Sequence, residues 1–210
     1  MNVIKKCIEY ISPLFEKDFS GHDIQHTMRV YKTALKINEF EKGDKLIVSL
    51  TALLHDVDDY KLFSTEDNEN ARRFLNSLSL SSDEKEQIID NINSIAFKGK
   101  ESIVPKTIEG KIVQDADRLD AIGAIGIARA FSYGGKHDRK LYDLDKDVKK
   151  DLSFEEYKKQ NSDTLSHFYQ KLFLLEDMMN TDYAKKIAKK RTEYIKEFVD
   201  EFLLEIEGER

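Results

Sequence analysis

Apolar residues repeat along this chain at i, i+3 and i+4, the period of amphipathic helices. After a short amphipathic opening segment broken at Pro13, the pattern predicts a helix from Asp23 to Phe40, with Met28, Tyr31, Leu35 and Ile37 at helical spacing. Gly43-Asp44 reads as a stop followed by an N-cap, and the next helix runs from Lys45 through an apolar stretch to His55-Asp56. Ser64 to Asp67 reads as a capping start for a helix through Leu78, and Ser81-Ser82-Asp83-Glu84 opens another with Ile88, Ile89, Ile92 and Ile95 as its core stripe. Lys98-Gly99-Lys100 turns the chain into a loop holding Pro105. A single long helix is expected from Thr107 to Phe131, where Gly123, Ala124 and Ala128 keep one surface small enough for another helix to approach. Tyr133 to Asn161 loses the period and reads as a long loop with a short helix near Phe154, in the manner of an active-site lid. Asp163–Met179 and Thr181–Glu207 then form a helical hairpin whose stripe is Leu165, Phe168, Leu172, Leu175, Ile187, Tyr194, Phe198 and Phe202.

Composition narrows this picture. At 210 residues, with two prolines and no Pro/Gly/Ser-rich linker, the chain is expected to form one all-α domain over 1–210, with a substantial core. One cysteine, Cys7, excludes an intramolecular disulfide and a cysteine-based zinc cluster. No signal peptide is read at the start, and no apolar run approaches the roughly 20 residues needed to span a bilayer, so a cytoplasmic protein without a membrane partner is expected. A net charge of −6 argues against a dedicated nucleic-acid binder, while leaving room for a small anion held by a local cluster of cations and a metal.

The candidate chemistry centres on His55-Asp56, a charged pair closing an apolar helix. Neighbouring side chains on a helix point about 100° apart, so both reach one point only at a helix end or inside a helix cluster. Imidazole and carboxylate together suit a divalent ion of borderline hardness. His26 upstream and Asp117 downstream complete a set of two histidines and two aspartates drawn from three helical segments, which places a metal inside a helix bundle. An ion that accepts about six donors keeps positions for water and substrate, the mark of a catalytic site.

The order and spacing of His26, His55-Asp56 and Asp117 resemble the HD-domain metal-dependent phosphohydrolase superfamily. The flanks sharpen the likeness: Gly21-His22-Asp23-x-x-His26-x-x-Arg29-Val30, His55-Asp56-Val57-Asp58-Asp59-Tyr60-Lys61, the stretch Gln114 to Gly126, Ala128-Arg129-Ala130-Phe131 and His167 to Leu172 resemble a branch of small bacterial single-domain members. The resemblance runs from about residue 20 to the C-terminus. It implies an HD-domain helical bundle, with the metal core at about 20–132, the loop at about 133–161 and the hairpin at about 163–207. It also implies a metal-dependent hydrolase of phosphate esters or anhydrides, with His26, His55, Asp56 and Asp117 as ligands of Mn²⁺, or of Mg²⁺, Co²⁺ or another divalent ion. An acidic residue one turn past the His-Asp pair orients or deprotonates the attacking water in the resembling enzymes. Here that residue is Asp59, where several relatives have Glu, and Asp58 competes for the role.

Some members of that branch resemble nucleoside triphosphate pyrophosphohydrolases, so release of pyrophosphate from a nucleoside or deoxynucleoside triphosphate is the expected reaction. Release of phosphate from a nucleoside monophosphate, and a non-catalytic nucleotide sensor, stand as alternatives. His22, Lys61, Arg29, Lys98, Arg118 and Arg129 are the candidate phosphate contacts, since ammonium and guanidinium groups bind phosphate oxygens by charge and, for Arg, by a bidentate fork. His22 and Lys61 are favoured for lying within the ligand motifs, and Asp120 is read as a neighbour of the ligands. The absence of a Gly-x-x-x-x-Gly-Lys-Ser/Thr run argues against an ATPase motor. A homodimer is compatible with so small an enzyme.

Overall fold

The computed structural model describes residues 3–15, 23–59, 62–143, 155–156 and 162–209. Among these residues the chain is all-α, with nine α-helices and no strand. The helices are α1 (Val3–Ile11), α2 (Ile24–Glu41), α3 (Lys45–Leu54), α4 (Glu69–Asn76), α5 (Ser82–Ile95), α6 (Ile108–Asp120), α7 (Gly123–Lys136), α8 (Thr164–Gln170) and α9 (Asp182–Glu207). They fall into two compact units, Met1–Phe97 with Ser102–Asp117, and Lys98–Glu101 with Arg118–Arg210.

In the first unit α3 is buried at every position from Ile47 to Leu54. A helix buried on all sides is a core element, and α2, α5 and α1 pack around it. Its side chains Leu50, Leu53 and Leu54 join Cys7, Ile11, Phe74, Leu75, Ile88 and Ile89 in one apolar cluster. Asp44 caps α3 as expected, accepting from the N–H groups of Leu46 at 2.8 Å and Ile47 at 3.0 Å. The stop before it differs in detail: the left-handed residue is Lys42, at φ 62°, rather than Gly43. Ser81 and Glu84 form a reciprocal capping box at the start of α5.

α6 is fastened along its first turns. The Thr107 hydroxyl donates to Asn91 Oδ1 at 2.7 Å and accepts from Gly110 N–H at 3.0 Å. Glu109 accepts from the Asp44 N–H at 2.9 Å and from Gln87 Nε2 at 3.2 Å. Gln114 donates to the carbonyls of Ser94 at 2.6 Å and Ile103 at 2.8 Å. A Cβ on Gly110 would stand 2.6 Å from Asn91 Oδ1 and 2.7 Å from the Pro105 side chain, so only glycine allows this approach.

Three expectations are corrected. The long helix from Thr107 to Phe131 is two helices: the N–H groups of Ala121 and Ile122 bond back only three residues, Ile122 is extended, and Gly123 restarts the helix at φ 80°. α4 starts later than the Ser64–Asp67 signal, at Glu69, and ends at Asn76 rather than Leu78. The Asp163–Met179 arm breaks at Lys171, at φ −137°, and continues as a 3-10 turn over Leu172–Leu175, which eclipses those two buried leucines onto one side.

In the second unit Phe131 gathers Phe168, Phe198 and Phe202 around it at centroid distances of 5.9, 6.0 and 5.9 Å. The buried line of α9 is Ala184, Ala188, Thr192, Ile195 and Val199, while Tyr194 of the expected stripe is exposed. α7 takes in Tyr133 to Lys136 of the expected loop, and His137 closes it with its Nδ1 donating to the Tyr133 carbonyl at 2.9 Å. Glu155 and Glu156 are helical, while Phe154 and the rest of 144–161, apart from these two, lie outside the described residues.

Candidate metal centre

His26 projects from the first turn of α2, fixed by Asp23, whose side chain accepts from the His26 N–H at 2.8 Å. His55 and Asp56 leave the C-terminal end of α3, where the chain departs from the helix and both side chains can turn to one side. Asp117 sits one turn beyond Gln114 on α6, downstream of the fastened section. All four belong to the first unit.

The resulting cluster is tight. His26 Nε2 lies 3.3 Å from His55 Nε2 and 3.3 Å from Asp56 Oδ2. His55 Nε2 lies 3.3 Å from Asp56 Oδ2 and 3.9 Å from Asp117 Oδ1, and His26 Nε2 is 3.5 Å from the same Asp117 oxygen. Donors around a divalent ion bonded at about 2.1 Å stand about 3 to 3.5 Å apart, and His26, His55 and Asp117 each bring one donor atom within 4.8 Å of the others, a group able to hold an ion. The imidazoles are 1 % exposed and Asp117 is 28 % exposed, which makes the Asp117 side the open face.

The charges around the cluster favour a positive charge at its centre. His55 Nδ1 lies 2.9 Å from the Ala52 carbonyl, which can only accept, so Nδ1 carries the proton and Nε2 faces the carboxylates. Burial opposes a charged His55, but the Asp56 carboxylate beside it, with help from Asp117 and the Ala52 carbonyl, raises its pKa to about 9. Burial likewise pushes Asp56 up, and the two imidazoles overcome it, holding the carboxyl well below the usual range. Asp56 Oδ2 is nevertheless buried with no hydrogen-bond partner. A buried carboxylate oxygen left without a hydrogen bond, within ion-pair distance of two imidazoles, is a donor arranged for a cation.

A model of the HD domain matches residues 23–122. The uncharacterized protein YpgQ of Bacillus subtilis is 36% identical over 203 residues, spanning 95% of this chain and 91% of its own length. The chain belongs to the HD-domain superfamily. A crystal structure from Lactobacillus plantarum superposes with a TM-score of 0.89 at 35% identity, covering 98% of this chain and 97% of its own. An HD-superfamily hydrolase from Bacillus thuringiensis gives 0.75 at 37% identity, covering 97% and 96%. YpgQ in complex with ADP gives 0.75 at 33% identity, covering 95% and 93%. The HD assignment makes this protein a metal-dependent phosphohydrolase with a divalent-ion site. Among the described residues no helix is long and apolar enough to cross a membrane.

The candidate substrate contacts are distributed differently. Arg29 is half-buried on α2, one turn past His26. Lys98, Arg118 and Arg129 belong to the second unit. There Arg118 is buried and donates to the Met178 carbonyl, while Arg129 Nη1 pairs with Asp120 Oδ2 at 2.8 Å. Asp120 is thus tied to an arginine of its own unit. His22 and Lys61 lie outside the described residues. Asp59 is half-buried in the turn after His55, its N–H donating to the Asp56 carbonyl at 3.1 Å and its own carbonyl accepting from Leu62 and Phe63 at 2.9 Å. Asp58, the competing carboxylate, accepts from the N–H groups of Asn70 at 3.0 Å and Ala71 at 2.9 Å. Asn70, which sequence reasoning passed over, donates from Nδ2 to the Val57 carbonyl at 2.8 Å. Its separation from the motif left no local signal by which it could be found.

Proposed function

We propose that this protein hydrolyses nucleoside or deoxynucleoside triphosphates to monophosphate and pyrophosphate, using one divalent ion, with Mn²⁺ favoured, held by His26, His55, Asp56 and Asp117. The single observation that carries the reading is the cluster of two imidazole nitrogens and two carboxylate oxygens, 3.3 to 3.9 Å apart in the pairs that include an imidazole, with its open side at Asp117. A bound divalent ion supplies two things to phosphoryl chemistry: a lowered pKa for water and polarisation of a phosphoryl oxygen. The two carboxylates balance the charge of such an ion, and the Ala52 carbonyl fixes the ring and tautomer of His55 so that Nε2 stays available. Asp59 is the residue assigned to accept the proton of the attacking water, because Asp58 has both oxygens occupied by backbone N–H groups of α4.

Support for a nucleotide comes from YpgQ, whose structure holds ADP. Arg29, Lys98, Arg118, Arg129, His22 and Lys61 remain the cations proposed to meet the phosphates, with Arg29 on α2, which carries His26, and Arg118 on α6, which carries Asp117. The test is a Mn²⁺-supplemented screen of nucleotides, with phosphate and pyrophosphate measured separately. Monophosphate and pyrophosphate in equal amounts from a triphosphate are expected, and both are lost in His55→Ala and Asp117→Ala. Orthophosphate from monophosphates, with triphosphates untouched, would replace this reaction with that of a nucleotidase.

A further inference from the structure

The turn that carries His55, Asp56 and Asp59 is held from outside by a reciprocal lock. α4 begins badly on its own: its N-cap, Asn68, sits at φ 56° and makes no side-chain cap. The first N–H groups of a helix need acceptors, and here Asp58 supplies them from 12 and 13 residues upstream, one carboxylate oxygen to Asn70 N–H and the other to Ala71 N–H. In return, the Asn70 amide reaches back and donates to the Val57 carbonyl, a buried bond. The Asn70 carbonyl in turn accepts from the Tyr10 hydroxyl at 2.9 Å, which ties the start of α4 to α1. Each side chain of the pair thus binds the other segment's backbone, and the three bonds fix residues 57 and 58 as a unit with 70 and 71.

Two consequences follow from the placement. Asp58, two residues from a metal ligand, has its charge satisfied by backbone donors at a helix N-terminus, where a carboxylate is stabilised. It is thereby kept from competing with Asp56 for the ion. The residues on either side of the lock, Asp56 and Asp59, inherit a fixed backbone. Exchange of a carboxylate for an amide at Asp58 removes one acceptor and the charge while keeping the volume.

We infer that Asp58 and Asn70 are positioning residues for the metal centre: their side-chain-to-backbone lock sets the direction of His55, Asp56 and Asp59 without touching ion or substrate. This rests on the metal site proposed above. The experiment measures Mn²⁺ dissociation constants by calorimetry for the wild-type chain, Asp58→Asn, Asn70→Ala and the double variant, all well below their melting temperatures. Ser81→Ala, which removes the cap of α5 in the same unit, serves as the control for lost stability alone. Loss of a partner that orients metal ligands weakens metal binding by about 10 to 100-fold. That range is expected for each single variant, with the double variant little worse than either and Ser81→Ala unchanged. Turnover should fall in the locked-turn variants with KM little altered. Wild-type Mn²⁺ affinity in Asp58→Asn and Asn70→Ala would overturn the positioning role while leaving the metal site standing. Wild-type protein that binds no Mn²⁺ would overturn both.

Discussion

Asp58 and Asp59 are adjacent carboxylates with different surroundings, and the roles proposed for them follow that difference. The first is consumed by two backbone N–H groups, whereas the second is half-buried in the turn one helical turn past Asp56. Asp59→Asn is expected to keep Mn²⁺ affinity and KM and to lower kcat by about 10²–10⁴-fold, the range for a lost general base. Steady-state kinetics beside a metal titration check this, and unchanged kcat would remove the assignment. In the apolar cluster of the first unit Cys7 is fully buried, and burial pushes its thiol up to about 12. A thiol protonated through the working range has no thiolate to offer. Ellman's reagent at pH 8 should therefore find no reactive thiol in the native protein and one after unfolding in guanidinium.

At the scale of elements, the break between α6 and α7 is the feature most open to test. Gly123 holds φ 80° and packs against the Arg191 side chain, and a Cβ on Gly126 would stand 2.2 Å from the Ala121 carbonyl oxygen. Arg191 donates to the Leu119 carbonyl, and Arg129 holds Asp120, so cations gather where a helix ends and its carbonyls need donors. Gly123→Ala places a side chain at left-handed φ, which costs about 1–2 kcal/mol. Equilibrium urea unfolding should show that loss as a lower midpoint with unchanged slope, and a wild-type midpoint would deny the strain. Capping also explains why elements were legible to different degrees. Asp44 and the Ser81–Glu84 box sit beside the helices they start, and both starts were read correctly. α4 takes its cap from Asp58, so the local Ser64–Asp67 signal misplaced its beginning.

For the molecule as a whole, metal binding should act as a stabiliser. The four proposed ligands come from α2, the end of α3 and α6, so an ion shared among them links three segments of the first unit that the unfolded chain would leave apart. At free Mn²⁺ of 100 times the dissociation constant, an ion that binds only the native state adds about 2.7 kcal/mol. Chemical unfolding with Mn²⁺ and with excess EDTA should differ by this amount in the wild type and by nothing in His55→Ala. Equal stabilisation of that variant would mean that the ion binds elsewhere.

The sequence by itself determined the all-α class, the starts of α2, α3 and α5, and the HD-domain family, because helical period, capping residues and a ligand motif are all local signals. It also named four side chains that the fold gathers, with His26 Nε2 3.3 Å from Asp56 Oδ2 and 3.5 Å from Asp117 Oδ1, since two of them are neighbours and the other two lie in recognisable flanks. Tertiary structure decided the rest. Whether Gly123 continues a helix or ends one depends on packing against Arg191, and the loss of helical conformation at Lys171 has no glycine or proline to announce it. Arg118 and Arg129 look alike in sequence, yet the fold turns one to the Met178 carbonyl and the other to Asp120. Asp58 likewise meets the N–H groups of Asn70 and Ala71 only because the fold brings them to the turn, and the donors that reach a carboxylate set its chemistry.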